Sequence, residues 1–288
     1  MCFIFVMDKF DNFTPISDIL KRFDKDEDKY ISREFQKYGY DLAQGLGDLR
    51  HKSVYIKLAK EEPRALLERI KHQVLETGRG SNLGKLFMWK LKQAHWQKKL
   101  TNNRLPKSFY CHSPKQVAKN LLGHILVTQD QYQVLRAGEI TEVEAYLGEE
   151  DLASHARFGN QGRSKIMFTR PGQSYVYLIY GKHYMFNVVA HGKRKAGAVL
   201  VRSLKPLVGG KGRVAVGPGK LTTWLKIDQA YNSLDLVLSD KVWLAKGKEI
   251  TKEKINAGPR IGVAYAKEWA NKKFRFWLKY CRYVSKNN

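Results

Sequence analysis

The sequence predicts an α+β protein in two parts: an all-helical domain over residues 1–102, then residues 103–288 as a mixed, mainly antiparallel curved sheet with flanking helices and a protruding β-hairpin. Two patterns carry this expectation. Up to about residue 102 the apolar side chains recur at helical spacing, and beyond it short runs of strand-forming residues alternate with glycine-rich turns. The charge shifts at the same place, from a net of +7 over residues 1–104 to +18 over residues 105–288. A chain of 288 residues has room for two ordinary domains.

In the helical part, Ile16, Ile19, Leu20 and Phe23 follow Asp11 and Thr14 at helical spacing. Pro63 stands at a helix start ahead of Leu66, Leu67 and Ile70, and the stretch Thr77 to Gly84, with Gly78 and Gly80, reads as a loop between helices. Asp24, Asp26 and Asp28 have the spacing of a calcium loop. Lys29, however, occupies the position that needs glycine, and Phe35 the one that needs a bidentate glutamate, so the run reads as a solvated charged turn. Beyond the boundary, strands are expected over Gly123–Thr128, Arg136–Ala145, Ser174–Tyr180, Phe186–Ala190 and Ala198–Ser203.

Fifty-two basic residues against 27 acidic ones leave a net charge of +25, a field that favours a polyanion, with nucleic acid ahead of an anionic membrane. The apolar opening Met1–Met7 is too short to span a membrane and lacks the flanks of a signal peptide. Three dispersed cysteines, Cys2, Cys111 and Cys281, indicate neither a disulfide framework nor a zinc site, so a cytoplasmic, DNA-associated protein is expected. The chain also has no HExxH and no phosphate-loop motif.

The chemistry concentrates between Glu139 and Asn187. As a strand, Glu139 to Tyr146 puts Glu142, Glu144 and Tyr146 on one face. Two readings of that face stand: a solvated edge matched by nearby cations, or a carboxylate held in a cleft to activate water beside an aromatic wall. His155 follows a turn, and Arg157, Arg163 and Lys165 in the next glycine-containing loop have the character of phosphate contacts. Tyr175 and Tyr177 share a strand face, and Tyr180 sits beside Gly181-Lys182 at the tip of a tight hairpin. These tyrosines suit either a β-rich core or an enzyme that needs an aromatic wall for an extruded base and a wedge for the gap.

Residues 105 to about 278 resemble the alkyladenine (3-methyladenine, methylpurine) DNA glycosylase family. The likeness runs through Leu105–Tyr110, Val117–Gly123, Glu142–Gly148, Ser154-His155, Met167-Phe168, Pro171-Gly172, Tyr175–Tyr177, Tyr180-Gly181, Asn187, Gly217–Thr222 and Pro259–Val263. The resemblance implies a monofunctional hydrolase that excises damaged purines from duplex DNA as a monomer, without metal or cofactor. It implies Glu144 as general base and Arg202 near the phosphate and water. Tyr146 and Tyr177 would stack the flipped purine, His155 would donate a hydrogen bond to it, and Asn187 would reject a guanine 2-amino group. Tyr180 would enter the duplex, with Lys182 and Lys220 among the DNA contacts. The chain departs from the family at Lys182, where an apolar residue is usual, in a longer basic stretch from His191 to Gly197, and at Phe274–Trp277. Residues before 103 fall outside the resemblance.

Competing classes are a non-catalytic nucleic-acid binder, a lyase using an amine nucleophile, and an RNA-acting enzyme. The first has no use for Glu144 beside a phosphodiester, and the second needs a lysine that no pocket segment offers.

Overall fold

The computed structural model describes residues 34–78, 82–192 and 195–285. The helix expected at Ile16–Phe23, the acidic run Asp24–Asp28, Cys2 and part of the His191–Gly197 stretch lie outside the described residues. The chain divides into two compact units between Lys92 and Gln93.

The first unit is helical. Residues 34–45 form one helix, and α1 (Lys52–Glu61) and α2 (Arg64–Thr77) follow. The break between α1 and α2 is set by Pro63, which forces the preceding Glu62 into an extended conformation with ψ 147°. Leu42, Tyr55, Leu67, Ile70, Val74 and Phe87 make its interior, each at most 2% exposed. Helix α3 (Leu83–Asn102) crosses the division, and Asn82 Oδ1 accepts from Lys85 N at its start.

The second unit is built on eight antiparallel strands: β1 (Ile125–Gln129), β2 (Leu135–Tyr146), β3 (Ser174–Ile179), β4 (His183–Val189), β5 (Ala198–Val208), β6 (Val242–Ala245), β7 (Ile255–Gly258) and β8 (Arg275–Leu278). The order β3-β4-β5-β2-β1-β6 forms the main sheet, and β8 joins β7 to the second half of β2. Register shifts at Gly138 and around Glu142 bend β2, so its far half pairs β8 where its near half paired β1. Helices α4 (Pro114–Leu121) and α5 (Pro218–Leu225) cover the sheet through Val117, Leu121, Leu221 and Leu225. The last turns of α3 belong to this unit: Leu100 is buried with Val127, Ala137 and Trp243, and Trp243 Nε1 donates to Leu100 O at 3.3 Å.

The strands expected from sequence are present, with shifted ends. β4 begins three residues before Phe186 and β5 runs to Val208, because hairpin pairing with β3 and the long ladder to β2 extend each beyond its apolar run. β6, β7 and β8 are four residues each, too short to show an alternating pattern.

Candidate active site

The hairpin β3–β4 is closed by Tyr180 and Gly181, with φ of 52° and 63°, and Lys182 N donates to Ile179 O at 3.1 Å. Positive φ at both central residues is what a type I′ turn demands, and tyrosine adopts it at a cost. The side chain gains nothing from burial in return, since Tyr180 is 90% exposed. Behind the tip, Tyr175 and Tyr177 lean on the same face with ring centroids 5.1 Å apart.

These rings wall a cavity of about 330 Å³, which Tyr146, His155, Arg163, Asn187, Arg202 and Tyr180 also line. The segment Ile261–Val263 closes its far side. No lysine is among its lining residues.

Glu144 is fully buried and does not itself line the cavity; it is bonded to three residues that do, Tyr146, Arg202 and Ile261. Its Oε2 accepts from the Tyr146 hydroxyl at 2.9 Å, and its Oε1 accepts from Ile261 N at 2.8 Å and faces Arg202 Nη1 at 3.2 Å. Gly262, at φ 75°, turns the chain so that the Ile261 amide can point there. A buried carboxylate is tolerated only when charge and donors surround it, and here one guanidinium, one hydroxyl and one amide do so. Burial pulls the Arg202 pKa down, but Glu144 and Glu142 outweigh it and hold the guanidinium charged.

Tyr146 is held from its other side. Arg260 stacks 4.8 Å above its ring, donates to Ala145 O at 2.9 Å and forms a two-point ion pair with Asp151 at 2.6 and 2.8 Å. Asp151 in turn accepts from the backbone of Leu147 and Ala153, which fixes the loop carrying His155.

His155 Nδ1 shares a 2.8 Å hydrogen bond with the Tyr175 hydroxyl, and its ring meets Tyr177 edge-on at 4.8 Å. Burial, then Arg163 and Arg157, lower its pKa to about 4, so the imidazole is neutral near pH 7. Burial, then Glu144 and Tyr265, push the Tyr177 pKa up to about 12, while burial and Tyr177 keep Tyr175 protonated as well. Asn187 is buried, and its Nδ2 is committed to the carbonyls of Tyr175 and Met185 at 3.1 and 3.3 Å.

The cations expected to meet DNA are distributed around this opening. Arg163 is exposed and lines the cavity, and Lys182 is exposed beside Tyr180. Lys220, in the first turn of α5, shares a ledge with His183. Arg157 and Lys165 are exposed but do not line the cavity; Arg157 lies over Phe158 and Tyr265 at 4.5 and 5.1 Å and donates to Leu152 O. Sequence reading missed the residues that hold the site: Asp151 with Arg260, the Ile261 amide, and a cluster around Glu142 made by Ser203, Arg275 and Ser285. Arg260 and Ile261 stood in a quoted segment, but nothing in it named their partners. Among the described residues no group of three or more His, Cys, Asp or Glu could hold a metal ion. No helix among them is long and apolar enough to cross a membrane.

An antiparallel sheet here brings a buried carboxylate–guanidinium pair to an aromatic cavity beside an exposed hairpin, a geometry able to take one planar group. Residues 108–282 match the family model described as methylpurine-DNA glycosylase, and the chain belongs to that family. A relative from Legionella pneumophila (strain Corby) is 45% identical over 183 residues, covering 64% of this chain and 98% of the relative. One from Myxococcus xanthus (strain DK1622) is 43% identical over 185 residues, covering 64% and 94%. One from Borreliella burgdorferi (strain ZS7) is 40% identical over 184 residues, covering 62% and 97%. All three bear the name of a 3-methyladenine DNA glycosylase. The protein is thus a DNA repair glycosylase, a hydrolase acting on N-glycosyl bonds. The family match starts at residue 108 and leaves the helical unit outside it.

Proposed function

We propose that the enzyme flips an alkylated or deaminated purine out of duplex DNA and hydrolyses its glycosidic bond with a water activated by Glu144, leaving an abasic site. The observation that carries this reading is Glu144 itself: a fully buried carboxylate held by Arg202, Tyr146 and Ile261 N, three residues that line an aromatic cavity. Such a carboxylate has little structural use that an apolar side chain would not serve better. Departure of the base builds positive charge on the sugar, which a nearby carboxylate stabilises while it orients and deprotonates water. Arg202 pairs with that carboxylate and offers its remaining donors to the adjoining phosphate.

Tyr146 and Tyr177 would sandwich the extruded base, and a cationic alkylpurine gains most from electron-rich faces. Tyr175, protonated, donates to His155 Nδ1 in this assignment, which leaves Nε2–H to donate to the base. Asn187, anchored through Nδ2, would exclude a guanine 2-amino group by contact. Tyr180 would fill the vacated stack, with Arg157, Arg163, Lys165, Lys182 and Lys220 against phosphates. A cavity without lysine favours direct hydrolysis over a Schiff-base lyase.

The test is a labelled duplex carrying one 1,N6-ethenoadenine or hypoxanthine, incubated with protein in EDTA. Alkali-labile sites without prior strand breaks are expected from the wild type. Glu144→Gln should bind the duplex and release no base, with a loss of about 10²–10⁴-fold. Retained excision by this variant removes Glu144 from the mechanism.

A further inference from the structure

Glu142 precedes Glu144 by two residues on β2 and is equally buried, yet nothing in the proposed reaction uses it. Its Oε1 faces Arg202 Nε at 3.1 Å and Arg275 Nη1 at 3.5 Å, and its Oε2 accepts from Ser203 Oγ at 2.9 Å. Arg202 therefore forks between two carboxylates, Nε to Glu142 and Nη1 to Glu144. The direction in which Nη1 points is set by where Glu142 anchors Nε, because the guanidinium is planar and rigid.

The remaining acceptor capacity of Glu142 is filled from far along the chain. Ser285 N donates to Oε2 at 2.7 Å, and Ser285 Oγ reaches Oε1 and Oε2 at 2.7 and 2.8 Å. Residues 281–285 are themselves tied down. Thr141 Oγ donates to Tyr283 O at 2.5 Å, Arg213 donates to the carbonyls of Arg282 and Val284, and the Tyr283 side chain is buried. The family match ends at residue 282, so this clasp lies just beyond it.

We propose that residues 283–285 form a strap whose Ser285 fixes Glu142, making Glu142 and Ser285 positioning residues that aim Arg202 at the Glu144 carboxylate. Without Ser285, Glu142 loses two donors and must draw more on Arg202, the nearest charged group able to move. Arg202 then turns from Glu144, and the carboxylate loses its guanidinium partner. The charged and titratable groups facing Glu144 are Glu142 and Tyr146 from β2, Arg202 from β5, Arg275 from β8 and Tyr177 from β3. Of these, Arg202 and Arg275 both pair with Glu142, the carboxylate the strap holds, and Arg202 alone of the two also forms an ion pair with Glu144.

The inference rests on the general-base reading of Glu144, and the experiment separates the two. Single-turnover excision, lesion binding and melting temperature are measured for the full chain, for Ser285→Ala, for Ser285→Thr and for a chain ending at Arg282, with Glu144→Gln in parallel. Ser285→Ala is expected to slow excision about tenfold, the factor that loss of one hydrogen bond to a charge carries. The dissociation constant for the lesion duplex should stay unchanged, because neither Glu142 nor Ser285 lines the cavity. Ser285→Thr keeps the hydroxyl and should recover most of the rate, and the shortened chain should match or exceed the alanine defect. Should that chain fail to fold, the alanine and threonine variants decide. A lower melting temperature with the wild-type single-turnover rate would reduce the strap to a stabilising clasp and overturn the proposal. An unchanged rate and melting temperature in Ser285→Ala, with Glu144→Gln inert, would sink the strap alone. Excision by Glu144→Gln would instead sink the reading beneath it.

Discussion

The Tyr146 hydroxyl donates to Glu144 Oε2 at 2.9 Å, so the ring that walls the cavity also restrains the carboxylate behind it. Tyr146→Phe separates these two duties. The ring and its stacking on Arg260 persist, while Glu144 loses a donor. Excision should fall about tenfold with lesion binding nearly unchanged, read as a drop in the single-turnover rate at a constant dissociation constant. A loss of binding instead would mean that the hydroxyl contacts the base.

Tyr180 stands in a conformation that glycine takes freely. Tyr180→Gly should therefore leave the melting temperature unchanged or raise it, while weakening lesion recognition by about 1–3 kcal/mol, the scale of one base–aromatic stack. Calorimetry and a binding titration on the same sample test both halves. A fall in melting temperature would show that the ring packs against something other than DNA.

Asp151 and Arg260 are an ion pair with no exposed side-chain surface. Asp151→Asn removes the guanidinium's charge partner and leaves one acceptor oxygen where Leu147 N and Ala153 N had two, so unfolding free energy should drop by about 3–5 kcal/mol in denaturant titrations. A change below about 1 kcal/mol would mean that water or a neighbour satisfies Arg260.

His155 gives the stability a pH dependence of known sign. Its folded pKa of about 4 lies below the ordinary value of 6.5, so between those values the unfolded chain binds the extra proton. Its contribution is complete above about pH 6.5 and is lost as pH falls toward 4. His155→Gln should show a smaller fall in melting temperature between pH 7 and pH 4 than the wild type. An equal or larger fall assigns the acid sensitivity to other groups.

What could be read in the sequence was local. The alternation at Glu142, Glu144 and Tyr146 identified one strand face, Gly181-Lys182 marked the hairpin, and Pro63 marked a helix start. Each of these depends on neighbours within a few residues. The supports of the site do not. Arg260 meets Ala145 across 115 residues, and Ser285 meets Glu142 across 143, separations over which no spacing rule applies. β8 illustrates the same limit: Arg275–Leu278 becomes a strand because the bent second half of β2 offers it an edge.

These long separations bear on when in the life of the chain the site comes into being. Glu144 gains its amide donor only from Ile261, 117 residues downstream, so a growing polypeptide can complete most of the sheet and still lack the assembled floor. Closing so large a loop is slow relative to local pairing. During synthesis the basic surface precedes the chemistry: a nascent or interrupted chain would cling to nucleic acid without releasing a base from it. Recovery of excision after denaturation, followed beside recovery of secondary structure, would time that last closure.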